Sequence, residues 1–304
     1  MDKYVLGIGI ATVDLIGQVP SFPEPDGFTF MQEFDRQIGG PVANALTALT
    51  RLGERTMWAG KVGSDEFGRW IIDDLDAEGV LQNVMVDQSG STPLSFILVD
   101  IGTGCRSIIF HPGCALMLEQ ELTQACLSGA KLIHLDGGFI DAAFQAASYG
   151  KENGVRVALD AGVYFPGLDE ILDRIDIFMP TLGIARMLTG EDNVEDCLKK
   201  LQEAGPRSVI VTDGKAGSWA RENSLSAHAP AVSVDVVDTT GCGDAFHGAY
   251  LFGELRGWQL SQKLLFANAY AALKATRLGG RKGLPTTVEI KEFIQDRALP
   301  IPKL

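Results

Sequence analysis

The chain has 304 residues, 46% hydrophobic and 21% charged, enough apolar material for one large domain or one domain with a small companion. Its net charge of −13, with no basic block, argues against a nucleic-acid partner. No apolar run is long enough to span a bilayer and the start Met1-Asp2-Lys3-Tyr4 has no signal-peptide character, so a cytoplasmic protein with no membrane partner is expected.

Tyr4 to Ile10 reads as a buried strand. It contains Gly7-Ile8-Gly9, but the dinucleotide fingerprint needs a helix next, and Val13 to Pro20 does not open one. An NAD-dependent oxidoreductase rests on that weak match alone. Asp14 reads instead as a carboxylate at the C-terminal edge of a strand, where open α/β sheets bind ligands; a solvated turn residue is the plainer alternative. Phe28, Phe30, Phe34 and Ile38 alternate with mostly polar neighbours, as in a half-buried strand. Gly39-Gly40-Pro41-Val42-Ala43-Asn44-Ala45 opens a helix that ends at Gly53, with Pro at its first position. The glycine pair permits close approach of a ligand, and Asn44 offers both a donor and an acceptor. Asp14 and Asn44 together could bind sugar hydroxyls.

Thr92–Asp100 and Arg106–Phe110, around Ile101-Gly102-Thr103-Gly104, form a hairpin pattern. With the Phe28–Ile38 region it is read as one small sheet beside the main domain, covering a cleft or a partner subunit. Elsewhere strands (Met57–Val62, Lys131–Leu135, Arg156–Leu159, Ile175–Met179, Ser208–Val211) alternate with helices. The helices are Asp65–Glu78, Glu119–Leu127, Asp141–Asn153, Val194–Ala204, Asp244–Arg256, Ser261–Thr276 and Thr287–Arg297. That alternation predicts an α/β fold with a mainly parallel sheet between helices. Val211-Thr212-Asp213-Gly214-Lys215-Ala216-Gly217 ends one strand and turns into another. A nucleotide could lie against its glycines with Thr212 on a phosphate, although a plain turn fits equally well. There is no Walker A sequence, no nucleophile elbow and no metal-ligand spacing among His111, His134, His228 and His247.

Val232, Val234 and Val236 suggest an apolar strand that runs into Asp238-Thr239-Thr240-Gly241-Cys242-Gly243-Asp244-Ala245-Phe246. Free N–H groups and a helix N-terminus there make a ready anion site. Asp244 would repel a phosphate, so it makes sense as a proton acceptor, or merely as a helix cap. The five cysteines, Cys105, Cys114, Cys126, Cys197 and Cys242, form no C-x-x-C pair, which indicates neither a disulfide framework nor a zinc site.

Asp238 to Phe246 resembles the C-terminal signature of the PfkB (ribokinase-like) carbohydrate kinases, and Gly39 to Gly53 their N-terminal signature. Val62 to Gly68, Val211 to Gly217 and Asn268 to Gly280 also match, in the right order over nearly the whole chain. The resemblance implies a ribokinase-like core (1–12, 40–90 and 113–304) with a β-sheet lid (13–39 and 91–112). It implies transfer of the γ-phosphoryl group of ATP, with Mg²⁺, to a sugar hydroxyl, and a homodimer formed through the lid.

On that resemblance Asp244 is the base, and Gly241, Cys242 and Gly243 supply the anion hole. Asp14, Gly39, Gly40 and Asn44 bind substrate. Arg106, Phe110, His111 and Asp136 to Phe139 line the sugar pocket. Thr212, Gly214, Gly217 and Asn268 lie along the nucleotide, and Asp238 with the Thr240 carbonyl borders a site for a monovalent cation such as K⁺. Two positions depart from the family. Thr181 and Ile184 replace the Asn and Glu of an Asn-x-x-Glu motif, leaving Mg²⁺ without an assigned protein ligand, and Cys242 replaces Ala. The nearest branch is that of ketohexokinase and sulfofructose kinase. The Asp136 turn lacks an Arg for an anionic substrate, which favours a neutral ketohexose. A nucleoside kinase, with Phe28, Phe30 and Phe110 as a base slot, and a catalytically impaired sugar-binding protein are the alternatives.

Overall fold

Five buried residues, Tyr4–Ile8, form β1, and the main sheet grows outward from it in both directions. The structure is a computed structural model that describes residues 3–114, 117 and 119–304, for Glu119 the backbone alone; Met1 and Asp2 lie outside them. After β1 the chain forms β2 (Thr12–Val19), β3 (Glu33–Gly39), α1 (Pro41–Arg51), β4 (Thr56–Gly63), α2 (Glu66–Ala77) and β5 (Leu81–Asp87). Next come β6 (Leu94–Asp100), β7 (Arg106–His111), α3 (Gln124–Ser128), β8 (Ala130–Leu135), α4 (Ile140–Asn153) and β9 (Arg156–Ala161). Then follow β10 (Ile177–Pro180), α5 (Leu182–Thr189), α6 (Val194–Glu203), β11 (Ser208–Thr212), β12 (Ser218–Glu222) and β13 (Leu225–Ala229). Three helices end the chain: α7 (Cys242–Leu255), α8 (Leu260–Ala275) and α9 (Thr287–Asp296).

The large sheet has the order β13-β12-β11-β10-β9-β8-β1-β4-β5, parallel except for the antiparallel β11-β12-β13 edge. β1 lies between β4 and β8, so the chain reverses direction across the sheet at that point. Such a switch point leaves a crevice beyond the strand ends. The chain leaves the large sheet twice, after β1 and after β5, and both excursions join a second sheet of order β3-β2-β6-β7. In it β2 pairs parallel with β6, while β3 and β7 pair antiparallel on the two sides.

Two apolar clusters pack on opposite faces of the large sheet, one with α1, α7 and α8, the other with α4 and α6. Helix α7 is buried from Ala245 to Glu254, which fits its nearly continuous apolar sequence. A Cβ on Gly248 would stand 2.7 Å from the Ala45 carbonyl, so this glycine lets α7 sit directly on α1. Gly7 plays the same part in β1, where a Cβ would meet Val42 Cγ1 at 2.5 Å. Its role is to seat α1, and the element after β1 is a strand, so a dinucleotide fingerprint is absent there.

Several expected elements differ. Residues 230–237 form no strand: Pro230 offers no N–H, and Val232 and Val234 rest on the core while Val236 is exposed. Phe28 and Phe30 lie in an irregular segment and are highly exposed; the strand starts only at Glu33. The expected helix Glu119–Leu127 is broken into a single 3₁₀ turn and α3, because the Thr123 side chain accepts from Cys126 N–H and starts a new helix. Asp14 sits inside β2 rather than at the edge of β1, which ends at Ile8. The structure adds β2, β5, β13 and α5 to the expected elements.

Candidate active site

Close packing of α1 on α7 brings the first turns of both helices together. Asn44 Nδ2 donates to Asp244 Oδ2 at 2.8 Å, across 200 residues of sequence. Burial pushes the Asp244 carboxyl up to about 6, helped by the nearby charge of Asp160 and opposed by the Asn44 hydrogen bond. Asn44 Oδ1 is buried with no partner among the described residues, an acceptor left for something else. Gly241, in the left-handed region at φ +71°, turns the chain into α7, and a Cβ there would lie 2.7 Å from Gly280 Cα. Cys242 is the first residue of α7 and Gly243 the next, so the first-turn N–H groups of this helix have no intrahelical partners. Burial raises the Cys242 thiol, and its Sγ points at the Ala271 carbonyl, 3.7 Å away. It behaves as a small packed side chain.

The second sheet faces this point. Cross-strand partners share a face, so Gln37, Asp14, Ser95 and Phe110 form one row across β3, β2, β6 and β7. Asp14 is buried, accepts from Thr12 Oγ1 at 2.6 Å, and is pushed up by burial, with the Thr12 and Ser95 hydroxyls opposing. A Cβ on Gly39 would fall 1.9 Å from Asp14 Oδ2, so only glycine leaves that carboxylate its place. Gly40, at φ +101°, opens α1. Arg106 shares the face of Asp14, and its Nη1 donates to Thr239 Oγ1 at 3.2 Å. The Gly104 carbonyl accepts from Thr239 N–H and Oγ1, joining the β6–β7 turn to the glycine loop. His111 falls in the next row and on the opposite face, where its ring meets Ser91 Oγ at 3.4 Å. Asp136 is taken up by the Ile10 and Gly138 N–H groups, each at 2.9 Å, and burial lifts it to about 7.

Thr212 ends β11 beside Thr181, and Gly214, at φ +48°, has open space at its Cβ position. Gly217 (φ +97°) presses on the Ala229 carbonyl. Asn268 is used internally: Nδ2 donates to the Ala229 and Pro230 carbonyls, and Oδ1 accepts from Ser218 Oγ. It braces this turn. Thr181 caps α5 by accepting from Ile184 N–H, and Ile184 packs on the core. Among the described residues no cluster of His, Cys, Asp and Glu could hold a metal. Asp238 accepts from the Thr240 and Gly279 N–H groups and so pins the glycine loop to the chain beyond α8.

One layer below Asp244 lies a group that sequence reading missed. His247, one turn along α7, puts Nδ1 3.0 Å from Asp160 Oδ2, both buried. Burial would neutralise each, yet their pairing wins: Asp160 is held below and His247 above its ordinary value. His134 beside them is lowered to about 4 by burial and stays neutral. The only signal in the chain is the i, i+3 spacing of Asp244 and His247. Gln37, Ser95 and Lys274 had none.

A carboxylate lifted by burial, the first turn of a buried helix, where Cys242 N–H leans on the Thr239 carbonyl at 3.2 Å, and a polar row opposite are the surroundings that phosphoryl transfer to a polyol requires. The sequence profile of the pfkB family carbohydrate kinases matches residues 2–287. A probable fructokinase-5 from Arabidopsis thaliana is 28% identical, covering 91% of this chain and 94% of its own. The ribokinase of Arabidopsis thaliana, solved with ribose and ATP, superposes with a TM-score of 0.83 at 25% identity, covering 97% and 99% of the two chains. A putative ribokinase II from E. coli, solved with ATP and Mg²⁺, has a TM-score of 0.84 at 27% identity and covers 97% and 99%. The chain belongs to the pfkB family: it is a carbohydrate kinase of ribokinase-like α/β fold, transferring a phosphoryl group to a sugar hydroxyl. No helix among the described residues is long and apolar enough to cross a membrane.

Proposed function

We propose that the chain phosphorylates a neutral, ketohexose-like sugar at the expense of ATP. The observation that carries this reading is the Asn44–Asp244 pair, a carboxylate lifted to about 6 beside a buried acceptor with no partner among the described residues. Asp244 takes the proton of the attacking hydroxyl, and the N–H groups of Gly241, Cys242 and Gly243 stabilise the charge on the transferred group. Asp14, Ser95 and Asn44 hold the other hydroxyls, with Gly39 and Gly40 leaving room for them, while Gln37 is tied to Asp35, Leu278 and Lys282 and Arg106 closes on the loop at Thr239. His111 lies on the far face, so it is left out of the sugar site.

The nucleotide runs past Thr212, Gly214 and Gly217, with Asn268 holding that turn in shape. The two ribokinase complexes, one holding ribose and ATP and the other ATP and Mg²⁺, support ATP as donor and Mg²⁺ with it. Thr181 and Ile184 have structural uses, so Mg²⁺ is assigned to the nucleotide phosphates and to no side chain. The second sheet acts as the lid, and its outer face exposes Phe34, Phe96 and Ile109, which supports a second copy of the chain as partner.

A neutral sugar is favoured over a nucleoside because Phe28 and Phe30 lie exposed and pack edge to face on each other, 4.9 Å apart, which leaves Phe110 as the aromatic of the three in the Asp14 row. The test is ATP turnover with Mg²⁺ across ketoses, aldoses, sugar acids and nucleosides. A ketohexose should give the highest kcat/KM. A nucleoside or a sugar acid in that position refutes the substrate class. Sugar binding by calorimetry with no turnover anywhere in the panel refutes catalysis.

A further inference from the structure

The family resemblance carries the expectation of a monovalent cation at Asp238 and the Thr240 carbonyl, and a side-chain cation, Lys274, already lies against Asp238. Asp238 is fully buried and its oxygens are already engaged. Oδ1 accepts from Thr240 N–H and Oδ2 from Gly279 N–H, each at 2.7 Å. Its main-chain oxygen accepts from Lys274 Nζ at 2.8 Å. Lys274 lies in the last turn of α8 with no exposed surface, and this is its hydrogen bond among the described residues. A Cβ on Gly283 would stand 2.9 Å from both Lys274 Cε and the Gly279 carbonyl, so the lysine stem is threaded between the end of α8 and the Gly279–Gly283 turn.

A buried ammonium normally takes a carboxylate partner, because a lone charge is costly to remove from water. None lies within ion-pair distance of Lys274 among the described residues. What surrounds it is main-chain oxygen and the C-terminal end of a helix, surroundings that suit any single positive charge. The same loop is tied to α8 by Val237 N–H on the Ala275 carbonyl and by the Cys242 thiol on the Ala271 carbonyl.

We infer that Lys274 is a tethered cation. Its ammonium stands where a solvent K⁺ would otherwise act, holding the Asp238 carbonyl and hence the Thr239–Gly243 turn in the shape that presents its N–H groups. It is a positioning residue, and this role rests on the reading of that turn as the anion hole. The kinase should therefore be indifferent to monovalent cations, and removing the tethered charge should create a demand for one.

The experiment compares the wild-type chain and Lys274→Met, which keeps the stem and deletes the charge. Both are melted, and assayed with the best sugar of the panel, in K⁺, Na⁺ or tetramethylammonium chloride at equal ionic strength. Wild-type turnover and melting temperature should not depend on the cation. The variant should lose roughly tenfold or more in kcat in tetramethylammonium, recover most of it with K⁺ alone, and melt higher in K⁺ than in the other salts. A wild type stimulated or stabilised selectively by K⁺ overturns the inference, whether or not the variant folds. So does a folded variant whose melting and turnover are the same in all three salts. The melting measurements need no substrate, so a panel without turnover would count against the kinase reading and leave the cation result standing.

Discussion

Asp244→Asn separates what this carboxylate does for catalysis from what it costs the fold. The amide is nearly isosteric and still offers an oxygen to Asn44 Nδ2, so the 2.8 Å link between α1 and α7 can persist. Only the charge and its capacity to take a proton are lost. A positioned general base contributes about 10²- to 10⁴-fold, or ~3–5 kcal/mol of barrier, and kcat should fall by that much. Stability should move the other way. The carboxyl's ordinary value of 3.8 is lifted to about 6 in the fold, so folding favours its protonated form. That contribution is fully present below 3.8 and is lost as pH rises through about 6, so at neutral pH the ionised group weighs against the folded state. Two units would correspond to ~3 kcal/mol; the side chain is partly exposed, so about 1–2 kcal/mol is the working figure. The variant should therefore melt higher than the wild type at neutral pH, with the gap closing as pH falls from about 6 toward 3.8. Single-turnover kinetics and thermal melts between pH 4 and 8 measure both effects. Near-wild-type kcat would remove Asp244 as the base. A variant less stable than wild type at neutral pH would refute the burial argument.

The pH dependence of the wild type follows from the same group: the base must be ionised, so kcat/KM should rise through about 6 and then level off. His247→Gln leaves Asp160 without its cation, so the inflection should move to higher pH and stability fall by about 3 kcal/mol; an acid shift would contradict the pairing. Asn44→Ala removes a hydrogen bond to a charged group, worth ~1.5–3 kcal/mol, and should lower kcat/KM about 10- to 100-fold with the sugar KM raised. Unchanged KM in that variant would place Asn44 outside the sugar site. Gly241→Ala forces a Cβ into the left-handed region and against Gly280, so a loss of about 1–3 kcal/mol in denaturant unfolding is expected, together with most of kcat. An alanine variant of wild-type stability would mean that the turn can relax.

The glycines and the acid of the site were readable in the chain because their roles are local. Gly40-Pro41 opens α1 and Gly241 opens α7 through backbone conformation alone. Helix α7 was legible from its apolar run and β6–β7 from alternation about a glycine turn. The valines at 232–236 alternate just as clearly and form no strand, since a strand needs a hydrogen-bonding neighbour and Pro230 leads the chain away from one. Asn268 reads as a ligand residue in the sequence, and its amide is spent largely on Ser218, Ala229 and Pro230 at the open end of the β12–β13 hairpin, beside Gly217. His111 and Phe110 are adjacent in sequence, yet alternation in β7 sends them to opposite faces, and only the β6–β7 register says which one joins Asp14.

The α/β class, the glycine turn that opens α7 and the carboxylate of Asp244 in its first turn follow from the amino-acid order alone, because local conformation and periodicity are written in neighbouring residues. Tertiary structure alone decided which groups meet that carboxylate. Gly248 brings Asn44 to it, the β2–β6 register puts Asp14 and Ser95 in one row, and folding sets the Asp160–His247 pair and Lys274 beneath the loop. Those partners lie tens to hundreds of residues away, and burial, which gives their charges force, exists only once the sheets and helices have closed over them.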